Sequence, residues 1–472
     1  MYKFENFKLN QGFDHYQNVI FLKKFIDSFS KDKKTSNYFS DLEIIFRVSK
    51  FSLIKKVNQI IFRCFNFYSG KFTLKNSYIQ ILLNFIEFNI FFFVNIFFFF
   101  KKKEKKYEII LCNIDGDIFD RYKNILKQFQ KIAIITKNYL EYVKIKEFFP
   151  KKKIHFYSKN SFGFNYSLKS ILKVYKVFFH IFCFSITRKQ NFIKIFIILL
   201  RSILSASKLS DIVSSDKLLY TRIYWTCPII NFFFKKKQKT KIFLIQSHLY
   251  DPTFGIYLDT DFYFSWCKNF EQKNELEHYG SRIEEILPVG SIFAEERLIN
   301  KKKKIDLLII FSSFSTWYHF PKVKESFNKY IGWIDKIIKK FKNYHVVISP
   351  HPSDLKTYSL AKKFFEKYPN VELLNMEDSY YRYISSSSII LSYSSSVVLE
   401  SYLLNKKAYF IQPAIGLTGI FKKKKYLHKI IIRDYKTLEK KILEKEKVLK
   451  KYLIYLKKKN ISSRIYKYIQ RK

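Results

Sequence analysis

Five short apolar runs between residues 306 and 411 decide the fold: Asp306–Phe311 (DLLIIF), Tyr344–Ser349 (YHVVIS), Val371–Leu374 (VELL), Ser388–Ser392 (SIILS) and Ala408–Ile411 (AYFI). Each has the length of a strand rather than a helix. Between them lie stretches of helical pattern: Pro321–Phe341, which opens on proline, Leu355–Tyr368, Asp378–Ile384 and Val397–Leu404. Strands alternating with helices predict a parallel sheet covered on both faces.

The same alternation begins earlier. Glu108–Asn113 (EIILCN), Lys131–Thr136 (KIAIIT), Asp211–Ser215 (DIVSS), Lys241–Gln246 (KIFLIQ), Asp261–Trp266 (DFYFSW) and Glu284–Val289 (EEILPV) read as strands, and Val177–Ile186 and Phe192–Leu204 as buried helices. The expected organisation is α/β with two Rossmann-like domains, 107–290 and 305–433. The polar, lysine-rich stretch Ser291–Lys304 joins them. Residues 1–106 form a mainly helical extension, and 434–472 an amphipathic helix with a basic tail. Asp434 stands at its N-cap, and Leu438, Ile442, Leu449, Leu453 and Leu456 recur near helical spacing.

Composition narrows the class. At 472 residues and 48% hydrophobic the chain can bury two cores, and with 10 Gly and 9 Pro it is no low-complexity polymer. Its formal charge is +48, yet only 12 of the 87 basic residues are arginine, beside 53 Phe and 35 Tyr. Such usage is that of AT-rich codons and reads first as solvated surface, then as attraction to an anionic partner. A nucleic-acid-binding protein should cluster arginine and exposed aromatics on one face; here lysine is spread over short runs, so no specific nucleic acid is expected. Five dispersed cysteines without a C-x-x-C pair fit a reducing cytoplasm, and the start MYKFENFKLN lacks a signal-peptide h-region. Ile79–Phe100, apolar but interrupted by Glu87 and several amides and followed by Lys101–Lys106, could meet a membrane. A carboxylate near the midplane costs about 2.5–3.5 kcal/mol, so docking on an anionic inner leaflet, or equally burial as a helix inside the protein, is favoured over a span.

Phosphate-binding Gly-rich loops, paired zinc-ligand histidines and a G-x-S-x-G elbow are absent from the sequence. Attention moves to the residues following each strand, where open parallel sheets bind ligands. YHVVIS runs into Pro350-His351-Pro352-Ser353-Asp354, with two prolines fixing the backbone around an imidazole that can donate to a phosphate oxygen. SIILS runs into Tyr393-Ser394-Ser395-Ser396 and a helix carrying Glu400. The serines offer hydroxyls and backbone N–H groups to an anion, and Glu400 could accept from a ribose hydroxyl.

A Rossmann-like half with His351-Pro352, then Ser394-Ser395-Ser396 and Glu400, resembles the bacterial GT-B transferases of surface polysaccharides. These include capsule sialyl- and polysialyltransferases, Kdo transferases and CDP-glycerol glycerophosphotransferases. Gln412-Pro413 is also similar to the Kdo-transferase pattern. The resemblance spans residues ~240–420 and implies a GT-B-like fold with the sheets facing a central cleft. It further implies a metal-independent glycosyltransferase without cofactor, moving a sugar or polyol phosphate from a CMP- or CDP-linked donor to a glycan or lipid-linked acceptor. His351, Pro352, Ser394, Ser395, Ser396 and Glu400 would hold the donor. Gln246-Ser247-His248 resembles the Gln-His-Gly turn of these proteins, with a serine intervening and no glycine following, which puts His248 on the acceptor side. By the same resemblance Asp115 or Asp117, after EIILCN, would be the general base on the acceptor hydroxyl, although the order of the acidic motif differs. The enzyme would sit peripherally on the inner face of the plasma membrane. A sugar-nucleotide 2-epimerase of the same architecture, acting without acceptor, is the alternative reading.

Overall fold

The computed structural model describes residues 33–66, 71–72, 78–96, 104–112, 119–137, 139–159, 162, 166–188, 191–221, 226–246, 258–266, 273–278, 280–292, 304–311, 321–351, 354–375, 381–393, 395–404, 406–413, 429–444 and 460–472. Thirteen of its strands build two parallel sheets. The first contains β1 (Ile109–Cys112), β2 (Lys131–Thr136), β3 (Lys153–Ser158), β4 (Lys217–Tyr220), β5 (Lys241–Ile245), β6 (Asp259–Ser265) and β7 (Arg282–Pro288), in the order β7-β6-β5-β4-β1-β2-β3. The second contains β8 (Ile305–Ile310), β9 (Val346–Ser349), β10 (Val371–Leu373), β11 (Ser387–Ser392), β12 (Lys407–Ile411) and β13 (Ile431–Ile432), in the order β10-β9-β8-β11-β12-β13. Both sheets run outward for three strands, return to the start, and continue the other way. That is the Rossmann order, with a topological switch between β1 and β4 and again between β8 and β11. Two such sheets in one chain make an α/β protein of GT-B type.

Burial explains the strand sequences. Leu307, Leu308 and Ile309 in β8 and Val346, Val347 and Ile348 in β9 are all fully buried. Side chains on both faces of these strands meet helices, so the runs are apolar without alternation.

The helices needed below are α1 (Lys33–Phe46), α2 (Lys50–Cys64), α3 (Tyr78–Ile96), α4 (Phe119–Leu126), α5 (Tyr139–Phe148), α6 (Leu168–Arg188), α7 (Phe192–Ile212), α8 (Pro228–Gln238), α9 (Pro321–Lys340), α10 (Leu355–Phe365), α11 (Val397–Leu403), α12 (Tyr435–Leu443) and α13 (Ile461–Arg471). The amino-terminal helices share one core with α6, α7 and a face of the first sheet: Leu53, Phe88, Phe178, Leu200 and Ile110 belong to it. Arg282 of β7 holds the Asp259 carboxylate at 2.8 Å and lies over the Phe51 ring of α2.

Three expectations are corrected. The first sheet uses Lys217–Tyr220 (KLLY) rather than DIVSS, because α7 continues to Ile212 and Val213–Ser214 pairs with Lys105–Lys106 outside the main sheet. Lys153–Ser158 adds an edge strand, only part-buried, that its lysine-rich surroundings hid. The closing segment is not one helix. Asp434 does cap α12, accepting from the Thr437 N–H at 2.8 Å, but the backbone turns extended at Glu444; Leu449, Leu453 and Leu456 lie outside the described residues.

The last helix, α13, returns to the first sheet. Ile461, Ile465 and Ile469 fall on one stripe and are buried against the face formed by Tyr122, Ile125 and Phe129. Full burial is worth about 1.5–3 kcal/mol per isoleucine, an upper figure. Gly290, just past β7, adopts φ +103°, and a Cβ there would lie 3.0 Å from Ile461 Cδ1. Backbone conformation and close approach both demand glycine at this position.

Candidate functional site

Neighbouring strands of the second sheet end at one level. Ile310 of β8 pairs with Ser349 of β9 on one side and Ser392 of β11 on the other, and Ser392 pairs with Phe410 of β12. The residues beyond them leave along a single edge: His351 after β9, Phe311 after β8, Ser395 and Ser396 after β11, Gln412 after β12. With strands ~4.8 Å apart, the β9 and β11 exits stand ~10 Å apart across β8. The β8/β11 gap is the switch point, where this architecture receives ligands.

His351 is half-buried. Its carbonyl accepts the Asp354 N–H at 3.1 Å, and buried Asp354 caps α10 by accepting from the Thr357 N–H at 3.2 Å. The turn is thereby tied to a helix start, which fixes the backbone at His351. Pro352 lies outside the described residues.

The serine turn is held by a residue the sequence reading quoted only as a strand end. Ser392 is fully buried; its hydroxyl donates to the Ile310 carbonyl at 2.7 Å and accepts the Ser395 N–H at 3.2 Å. One oxygen thus stitches the turn to the end of β8. A serine closing an apolar strand was the signal that could have singled it out.

The backbone N–H groups expected to face an anion are largely engaged within the turn. That of Val397 meets the Ser395 hydroxyl at 3.4 Å, and those of Val398, Leu399 and Glu400 go to the carbonyls of Ser395, Ser396 and Ser396. Helix α11 is also just seven residues long, so its dipole is small. The donors that this edge could offer to an anion are therefore side chains. Ser396 makes no side-chain capping bond, and it and Ser395 are half-buried at the edge. Glu400 is 2% exposed, which excludes an ordinary surface charge. Ser394 lies outside the described residues.

Behind the turn, the Tyr393 ring packs on Phe327 and Tyr330 of α9 at 5.8 and 5.5 Å. Burial pushes the Tyr393 hydroxyl up to about 12 and raises that of Tyr330 as well, so both stay protonated near neutrality and neither serves as a base. Gln412 is buried; its side-chain amide donates to the Tyr393 carbonyl at 3.3 Å, and its own N–H to the Ile432 carbonyl at 2.9 Å. It braces β12 against the serine turn.

At the corresponding edge of the first sheet, Cys112 and Tyr220 pair across the β1/β4 switch. Burial pushes the Cys112 thiol up to about 12, so it is no nucleophile at neutral pH. Gln246 is fully buried; its side-chain oxygen accepts the Trp266 N–H at 2.7 Å and its carbonyl the Trp266 indole N–H at 3.0 Å. Trp266 follows β6 but belongs to the core of the second sheet, joining the two halves. Asp115, Asp117 and His248 lie outside the described residues, so the structure brings together His351, Ser395, Ser396 and Glu400 alone among the expected site residues.

No protein-family model and no curated protein sequence matches the chain. Solved structures do match. The UDP-GlcNAc 2-epimerase from Methanocaldococcus jannaschii is 14% identical, with 78% of this chain and 100% of that one covered at a TM-score of 0.46. A putative UDP-N-acetylglucosamine 2-epimerase from Listeria monocytogenes is 10% identical, with 78% and 96% covered at 0.48. Acinetobacter baumannii MurG is 10% identical, with 78% and 100% covered at 0.39. At such values the likeness carries nothing about substrate or chemistry.

Proposed function

We propose that the chain is a sugar-nucleotide enzyme whose second sheet holds the nucleotide. The observation that carries this reading is the common strand edge at the β8/β11 switch, from which half-buried His351, Ser395 and Ser396 follow, with Glu400 buried in the helix beyond. The imidazole and the two hydroxyls would donate to phosphate oxygens and stabilise the charge that develops as the glycosyl–phosphate bond breaks. Glu400 would accept from a ribose hydroxyl.

Two reactions use such a site. Epimerisation at C2 of the bound sugar stands first. It needs one substrate, whose nucleotide the residues at this edge would hold. Transfer to a glycan or lipid-linked acceptor stands second, because it requires in addition a base on the acceptor hydroxyl, the role expected of Asp115 or Asp117. That reading brings with it a CMP- or CDP-linked donor and a place in cell-surface polysaccharide synthesis at the inner membrane face.

The test is incubation with UDP-N-acetylglucosamine in D2O, without acceptor, followed by proton NMR. Inversion at C2 breaks and re-forms a C–H bond, so the expected result is deuterium at C2 and a second epimer. No exchange, with product formed only when a glycan acceptor is added, would overturn epimerisation in favour of transfer. A thermal-shift screen over CMP, CDP, UDP and GDP tests the shared premise: ~2.7 kcal/mol of stabilisation is expected at 100 times Kd. A protein that no nucleotide stabilises would sink both readings.

A further inference from the structure

Helices α3 and α6 are the two described helices long and apolar enough to cross a membrane. They lie side by side and antiparallel: Phe85 meets Phe178 and Phe182 at 5.3 and 4.3 Å, while Phe92 meets Tyr175 at 5.7 Å. The inner side of α3, with Ile81, Phe88 and Phe92, enters the same core as α7 and the first sheet. A spanning α3 would have to leave that core, so the pair does not cross a bilayer in this fold.

Its outer side is uncovered. Ile79, Leu82, Leu83, Ile86, Ile90, Phe93 and Val94 are each 48–71% exposed. At 3.6 residues per turn they occupy an arc of about 120° along ~24 Å of helix. Leu168, Leu172 and Phe179 of α6 are 50–71% exposed beside them. Soluble monomers rarely leave an apolar patch larger than a few hundred Å². The amides within α3 do not break the stripe, since Asn89 and Asn95 donate to the carbonyls of Phe85 and Phe91 on their own helix.

The α6 border of this face is cationic. Lys169, Lys173 and Lys176 are exposed along one flank of the α6 stripe, and α6 contains no carboxylate. The lone acid of α3, Glu87, is neutralised by Arg201 of α7 at 3.0 Å. An apolar face with a cationic border complements a bilayer surface bearing anionic headgroups. The sequence had pointed to Ile79–Phe100 by itself; the tertiary structure sets α6 next to it.

We propose that α3 and α6 together form a docking face that lies in the plane of an anionic membrane surface, with their outer side chains among the upper acyl carbons and the three lysines at the headgroups. The proposal is independent of the nucleotide site. Flotation of the full-length protein with phosphatidylcholine vesicles, with and without phosphatidylglycerol, tests it. Binding is expected with phosphatidylglycerol and should weaken with salt. The outward triple variant Leu82→Gln/Ile86→Gln/Ile90→Gln should lose at least about tenfold in vesicle affinity while keeping the wild-type thermal midpoint. Lys169→Glu/Lys173→Glu should lose about tenfold or more and lose the preference for phosphatidylglycerol; if the triple variant fails to fold, this one decides. Wild-type protein that stays with neither vesicle, or variants that float as the wild type does, would overturn the proposal. So would a wild-type dimer in analytical ultracentrifugation that the triple variant turns into a monomer without any vesicle binding, since the face would then be an interface between copies.

Discussion

Replacing Ser392 with Ala removes one hydroxyl that makes two hydrogen bonds at the heart of the switch point. The Ile310 carbonyl loses its donor at 2.7 Å, and the Ser395 N–H its acceptor at 3.2 Å. Ser392 is fully buried and β8 lies in the middle of the sheet, so water cannot readily replace the hydroxyl at the carbonyl. A buried polar group left without its partner costs about 1–3 kcal/mol. The Ser395 end lies half-open and recovers part of its loss from solvent, so about 2 kcal/mol is expected for the substitution. Urea unfolding followed by tryptophan fluorescence reads this directly, because Trp266 and Trp333 both pack in the second core. With an m value of ~3 kcal/mol/M the midpoint should fall by ~0.7 M. The loosened turn should also weaken nucleotide binding by about tenfold, equivalent to ~1.4 kcal/mol. A Ser392→Ala protein with the wild-type urea midpoint and unchanged nucleotide affinity would show that the turn does not depend on this stitch.

Four other outcomes follow from the same structure. His351→Ala should keep the thermal midpoint within about 0.5 kcal/mol yet lose the nucleotide-induced shift; a retained shift removes the histidine from the site. Ile465→Ala should cost about 2–5 kcal/mol and expose residues after 460 to early proteolysis, and an uncut tail would refute the docking of α13. Gly290→Ala should destabilise through its positive φ and its contact with Ile461, which a melt at the wild-type temperature would contradict. Asp434 is held below the usual aspartate range by the Thr437 backbone N–H and hydroxyl. A lowered folded-state value means stability present above the unfolded value near ~3.9 and lost as pH falls through the folded one. Asp434→Ala should therefore lower the midpoint by about 0.5–2 kcal/mol near neutrality, and the gap should close in strong acid; a gap that persists there would rule out the charged cap.

The strands of the second sheet were legible because burial on both faces leaves a continuous apolar run, as in DLLIIF and YHVVIS. So were the His351 and Ser395–Ser396 positions, since a polar cluster directly after such a run marks a strand end. Less was legible where one pattern served two purposes. DIVSS has the composition of a strand but completes α7, and KLLY, four residues long, carries too little pattern to stand out. The expected free N–H groups of the serine turn failed for a local reason: a serine side chain bonds nearby backbone as readily as a ligand does.

Two parallel α/β units, the lack of familiar metal, serine-nucleophile and dinucleotide motifs, and polar residues following apolar strands at 351 and 394–396 can all be read along the chain. Periodicity and local chemistry suffice for such statements, because neighbours along the chain carry them. Only packing in three dimensions places Ser349, Ile310, Ser392 and Phe410 in one row, lets Ser392 fasten the turn, and closes α13 on the first sheet. The same packing sets α6 beside α3. Each of these joins residues far apart in sequence, and strand register and helix docking are set by packing that no single segment encodes.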